Sequence, residues 1–123
     1  MGIGFVNLYF AVRDIADTLP LSIHDLWDIV KNRCRDTVSV MILEGGALQI
    51  DTSSSIAEDT VKEIAREVEN ELKNLLAEEG TYNYSSVVNT LWRIASKYSW
   101  RRRIQIIDAS DGKTGWLFLI RVL

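Results

Sequence analysis

The last stretch of the chain, residues 98–123, constrains the fold more than any other. It reads Tyr-Ser-Trp-Arg-Arg-Arg-Ile-Gln-Ile-Ile-Asp-Ala-Ser-Asp-Gly-Lys-Thr-Gly-Trp-Leu-Phe-Leu-Ile-Arg-Val-Leu. Two apolar runs flank residues 110–115, and Asp111-Gly112 is a strong hairpin signal because such a turn wants positive φ. A two-residue turn there sets Ile106 opposite Leu117 and Ile104 opposite Leu119 on an apolar face. The other face then pairs Gln105 with Phe118 and Arg103 with Ile120, with Trp116 near Ile107. A three-residue loop with a bulge at Gly112 slips the register by one. Trp116 and Phe118 then join Ile104 and Ile106 in the core, and the exposed face keeps Arg101, Arg103 and Gln105. Both registers remain open at this point.

The rest of the chain supplies helices and one more hairpin. Residues 4–13 alternate, with Val6, Leu8, Phe10 and Val12 on one side and Phe5, Asn7, Tyr9, Ala11 and Arg13 on the other, which predicts a half-buried strand. Leu19-Pro20-Leu21 breaks the chain. Ser22 and Asp25 then start a helix carrying Ile23, Leu26, Trp27 and Val30 on its apolar stripe as far as about Cys34. Residues 37–43 and 47–52 flank Gly45-Gly46 and predict a second tight hairpin. Ser55 and Glu58 have capping-box spacing before a long helix whose stripe runs Val61, Ile64, Ala65, Val68, Leu72, Leu75 and Leu76, and Gly80 ends it. A third helix, capped by Ser85 or Ser86, buries Val87, Val88, Leu91, Trp92, Ala95 and Tyr98. The expectation is a single α+β domain over residues 1–123, with strand and helix order β-α-β-β-α-α-β-β. Its antiparallel sheet has four or five strands, and its three helices, one of them long, cover one sheet face.

Several chemistries find no support. One cysteine, Cys34, and one histidine, His24, allow no internal disulfide, no cysteine zinc site and no histidine-based metal site within one chain. Gly112-Lys113-Thr114 resembles the end of a phosphate loop, but Ile107 stands where that motif needs its first glycine. Asp14, Asp17, Glu44, Asp51, Asp108 and Asp111 are carboxylates that a metal-dependent nuclease would use; turn and loop formation accounts for Asp14, Asp17, Asp108 and Asp111 more simply. No enzymatic activity, cofactor or metal is expected. No apolar run is long enough to span a membrane and no signal-type segment opens the chain, so a cytoplasmic protein is expected.

Charge is unevenly distributed. Residues 1–80 carry 7 Lys+Arg against 15 Asp+Glu, whereas residues 81–123 carry 7 against 2, within a formal net charge of −3. Positive charge concentrated beside aromatic rings suits a single-stranded polynucleotide, whose bases stack on rings and whose phosphates take arginines. The candidate nucleic-acid-binding residues are therefore Trp100, Trp116, Phe118 and Tyr9 for bases, Arg93, Lys97, Arg101 and Arg103 for phosphates, with Gln105 and Arg13 on the same faces. The plainer reading pairs the acidic long helix with the basic last third. Expected partners are single-stranded DNA or RNA and a second copy of the chain in a homodimer. The alternative function is a non-catalytic interaction or assembly subunit of an archaeal or viral complex.

With its long acidic helix, its Trp100-Arg101-Arg102-Arg103 segment and its final hairpin, the chain resembles the ThermoDBP-type single-stranded DNA-binding proteins of hyperthermophilic archaea. That resemblance implies DNA binding without an OB-fold, in a cleft with an apolar lining and basic edges, and a thermophilic archaeal source. It transfers no individual residue.

Overall fold

The computed structural model describes residues 22–123. The strand expected over residues 4–13, with Tyr9 and Arg13, lies outside the described residues. Seven elements follow in order: α1 (Ile23–Arg33), β1 (Thr37–Leu43), β2 (Leu48–Thr52), α2 (Glu58–Glu79), α3 (Tyr84–Tyr98), β3 (Ile104–Asp108) and β4 (Gly115–Val122). The strands form one antiparallel sheet in the order β2-β1-β4-β3. The class is α+β, as the periodicities require.

Strand β4 determines how the layers stack. Phe118, Ile120 and Val122 point to one face and pack with Val38, Val40 and Ile42 of β1 against α2 and α3. Leu117 and Leu119 point to the other face, where Met41 joins them against Ile23, Leu26, Trp27 and Val30 of α1. Side chains alternate along a strand, so a continuous apolar run such as Trp-Leu-Phe-Leu-Ile needs cover on both sides. The helices therefore do not all lie on one face. α2 and α3 cover one, and α1 covers part of the other.

The β3–β4 register differs from that of a two-residue turn. Ile104 pairs with Val122 and Ile106 with Ile120, three residues from the tight-turn alignment. Side chains build this wider loop. The Asp111 carboxylate accepts hydrogen bonds from the backbone N–H groups of Lys113 and Thr114, both at 2.9 Å, and from the Thr114 hydroxyl. Asp108 accepts from the N–H and hydroxyl of Ser110 at 3.0 and 2.6 Å, and Ser110 Oγ accepts from Leu117 N–H at 3.1 Å. A shift of three residues has the parity of a shift of one. Trp116 and Phe118 therefore share a face with Ile104 and Ile106, the outcome expected of the bulged loop.

At the start of β4, Gly115 has φ 145° and pairs with Leu43. A Cβ there would lie 2.3 Å from the Ile42 carbonyl oxygen, so only glycine fits so close to β1.

The helix ends are capped in different ways. Ser22 and Asp25 make the expected capping box on α1, and Gly80 at φ 77° ends α2 in the left-handed conformation. Helix α3 begins two or three residues earlier than a serine cap would set it, with Asn83 Oδ1 accepting from Ser85 N–H at 3.0 Å. The capping box expected of Ser55 and Glu58 does not form. Ser55 Oγ donates to Asp36 at 2.7 Å instead, and Glu58 pairs with Lys62 one turn along.

Asp36 does the capping of α2 from outside it. Its carboxylate also accepts from the N–H groups of Ile56 and Ala57 at 2.9 and 3.0 Å; Ala57 is the N-cap, so one of the donors that α2 leaves unsatisfied is met this way. The Asp36 backbone, at φ 54°, bonds to Ser54 on one side and Val122 on the other. One residue thus joins the start of β1, the entry to α2 and the end of β4. Burial alone would raise the Asp36 pKa, but the bonds from Ser55, Ala57 and Ile56 together hold it below the ordinary carboxylate value. Its stabilising contribution is therefore present above the unfolded-state pKa near 3.8 and is lost as pH falls through the lower folded value. Asp36→Ala is expected to cost about 1–3 kcal/mol in denaturant unfolding at neutral pH. Measured against pH, the gap between variant and wild type should close on the acid side of pH 4 or so; a constant gap would show that the charge is not what matters.

Candidate interaction surface

Helices α2 and α3 run antiparallel, and a ladder of ion pairs joins their outer edges. Glu71 pairs with Arg93 at 2.6 Å, Glu67 with Lys97, and Glu63 with Arg101 at 3.5 Å. Each step of four residues back along α2 is matched by four residues forward in the chain, first along α3 and then into the turn after it. Three of the long helix's carboxylates and three of the seven basic residues of the last third are thus one another's partners. Each exposed pair contributes little, on the order of 0–1 kcal/mol, and salt weakens it. Their effect is on local potential, since three of the cations expected to hold phosphates stand beside carboxylates.

Arg101 has further neighbours. Its guanidinium lies 5.3 Å from the ring centres of both Tyr98 and Trp100, within cation–π range. Tyr98 is itself buried against the core, and its hydroxyl donates to Glu67 at 2.8 Å. Burial, then that hydrogen bond and the nearby Glu67 and Glu63 charges, push the Tyr98 pKa up to about 12. Glu67 moves the opposite way. Burial would raise its pKa, but Lys97 and Tyr98 hold it below the usual carboxylate range.

The other candidates fall into separate places. Phe118 is 1% exposed and sits in the core, so it cannot stack on a base. Trp116 is half-buried under the edge of Tyr84, whose ring centre lies 5.4 Å away at an interplanar angle of 77°. Gln105 is partly covered and lies opposite Arg121 on the α1 side of the sheet, away from Trp116. Trp100, Arg101 and Arg103 are exposed where α3 gives way to β3. The flat aromatic sheet face that the two-residue turn implies does not form, because the wider loop turns both rings of β4 inward.

Trp92 is the residue that sequence periodicity misassigned. It is 52% exposed, while Ile94 takes the place expected of it in the core. The spacing Val87, Leu91, Ile94, Tyr98 fits a helical stripe better than one through Trp92, and that signal was available. Trp100 is 80% exposed, roughly two turns further on. Ile56, 77% exposed, and Arg102 also lie on the surface, where the Arg102 charge helps to lower the Asp36 pKa.

No family model matches this chain, and no curated protein or solved structure is similar to it. The ThermoDBP-type resemblance therefore rests on the residues quoted for it and nothing further. Among the described residues no helix is long and apolar enough to cross a membrane, and no three His, Cys, Asp or Glu side chains gather as a metal site would require.

The Tyr98–Glu67 contact gives a spectroscopic handle on the ladder. Subtracting the phenolate absorbance curve of Tyr98→Phe from that of the wild type should leave a group that titrates near pH 12. In Glu67→Gln that midpoint should fall toward 10, the ordinary tyrosine value. Because the folded pKa is the raised one, this contact's stabilisation is full below pH 10 and fades as pH rises toward 12. A wild-type midpoint that Glu67→Gln leaves unchanged would show that the Tyr98–Glu67 contact is open in solution, since burial alone would still hold it above 10.

Proposed function

We propose that this protein is a non-catalytic interaction or assembly subunit, and that its contact surface is the solvent side of α3 with the Trp100–Arg103 turn. The observation that carries this reading is the exposure of Trp92 and Trp100 beside cations already matched by carboxylates. Tryptophan, tyrosine and arginine are the side chains most enriched where proteins bind one another, because they bury large area at small entropic cost. A polyanion makes a different demand. It needs unneutralised positive charge, since its affinity comes from phosphate contacts and counterion release. Here Glu63, Glu67 and Glu71 stand beside three of the cations, and the whole chain is net −3. A charge-balanced aromatic face suits protein better than polyphosphate. A second copy of the chain is the first partner to expect, because a balanced patch meets its own image without like-charge repulsion.

Single-stranded nucleic acid is the second reading. Arg102 and Arg103 favour it, being exposed next to Trp100 and outside the ladder. An indole flanked by guanidinium groups can stack a base and hold its phosphate, worth about 1–3 kcal/mol per stacked base.

Sedimentation equilibrium and a tryptophan fluorescence titration with oligo-dT separate the two. Assembly through this face predicts a concentration-dependent dimer that Trp92→Ala with Trp100→Ala returns to monomer, with stability changed by less than about 1 kcal/mol because both side chains are exposed. It also predicts no quenching by oligo-dT at low salt. A wild-type monomer whose fluorescence is quenched by oligo-dT, and recovers as salt is added, would replace it with the nucleic-acid reading.

A further inference from the structure

At the opposite end of α2 from the exposed arginines, a cavity of about 580 Å³ opens between the sheet and the helical layer. Ile42 of β1 and Trp116 of β4 line its sheet side, and Leu76 and Tyr82 line its helical side. Its volume is that of an ordinary small-molecule site, and its lining pairs apolar with aromatic groups, as such sites do. Two charged side chains stand at its rim, Glu44 from the β1–β2 turn and Lys113 from the β3–β4 loop.

Several of the rim's donors are already engaged. The N–H of Glu44 already donates to the Thr114 carbonyl, that of Gly46 to Leu43 and that of Gly80 to Leu76. The N–H of Lys113 is held by the Asp111 carboxylate. A glycine-rich rim would otherwise make a nest for an anion. Here the amides of Glu44, Gly46, Gly80 and Lys113 are committed to the protein itself. The opposite charge is better served. The carbonyl end of a 22-residue helix, marked by Gly80, forms part of the wall, and no basic residue sits in its last turn. Such an end carries partial negative charge, and the Glu44 carboxylate adds to it. Aromatic rings attract cations by the same sign of field.

We propose that this cavity binds a small organic cation, an alkyl- or arylammonium compound. Its apolar body lies against Ile42, Leu76 and Trp116. Its positive head is held by the Tyr82 and Trp116 rings, the Glu44 carboxylate and the carbonyl end of α2. Among the described residues, Lys113 is the one charge at the rim that opposes it. The site is independent of the α3 surface and does not depend on which partner that surface takes.

The test uses the full chain, isotopically labelled for amide NMR, because Gly45, Gly80 and Gly112 line the cavity and glycine amides resolve well. Benzyltrimethylammonium is the probe, with benzoate as its anionic counterpart of similar size. The expected result is a saturable shift of those three glycine amides with the ammonium probe and none with benzoate. Reversing the opposing charge in Lys113→Glu should tighten binding roughly two- to fivefold, and Glu44→Gln should weaken it by a similar factor, as partly exposed charges of this kind do. Both residues are exposed rim positions, so the fold should persist in either variant. No saturable shift, a shift with benzoate instead, or affinity that neither substitution changes would each overturn the assignment.

Discussion

Strand β4 carries large apolar side chains on both of its faces, and the rest of the molecule is arranged to keep them dry. Phe118 and Ile120 need the α2–α3 layer above them, while Leu117 and Leu119 need α1 below. Burial of a side chain of this size is worth about 1.5–3 kcal/mol, so leaving either face open would cost much of a domain's marginal stability. Three layers follow from that one strand. Its pairing with β1 through seven residues puts both central strands under the same requirement.

Much of the fold was legible because local signals and burial agreed. The Ser22–Asp25 box, the Gly45-Gly46 turn, the stripe through Val61, Ile64, Val68 and Leu72, and the stop at Gly80 all stand where spacing and capping put them. Failures came where side-chain hydrogen bonds rather than periodicity decided the matter. Ser55 has capping-box spacing to Glu58, yet Asp36, nineteen residues earlier, takes that role. Asp111-Gly112 has hairpin composition, yet Asp111 gathers the following N–H groups around its own carboxylate and widens the loop. Neither long-range capping nor loop widening leaves a periodic trace in sequence. The position of α1 was legible in retrospect, because an unbroken apolar run from Trp116 to Ile120 has no polar side to expose.

The surface was less legible than the fold, for an electrostatic reason. A count of charges along the chain separates an acidic two-thirds from a basic third, and each region alone invites a partner of opposite sign. Folding brings the two together, because α2 and α3 run antiparallel with their charges in step. What remains outside the ladder is aromatic: Trp92 and Trp100, with Arg102 and Arg103 beyond them. The sheet side of the candidate site dissolved because β4 keeps its rings for the core. The helix side gained Trp92, which helical periodicity would have placed on the surface had Ile94 been given its share of the stripe.

Gly115 has a consequence for ancestry. Most core positions accept another hydrocarbon of similar size, so they blur as sequences diverge. A site where the first carbon of any side chain would strike the neighbouring carbonyl has no such latitude. A distant cousin of this chain, too altered to align by its helices, would still be marked by a lone glycine opening its last strand, one residue before a large ring.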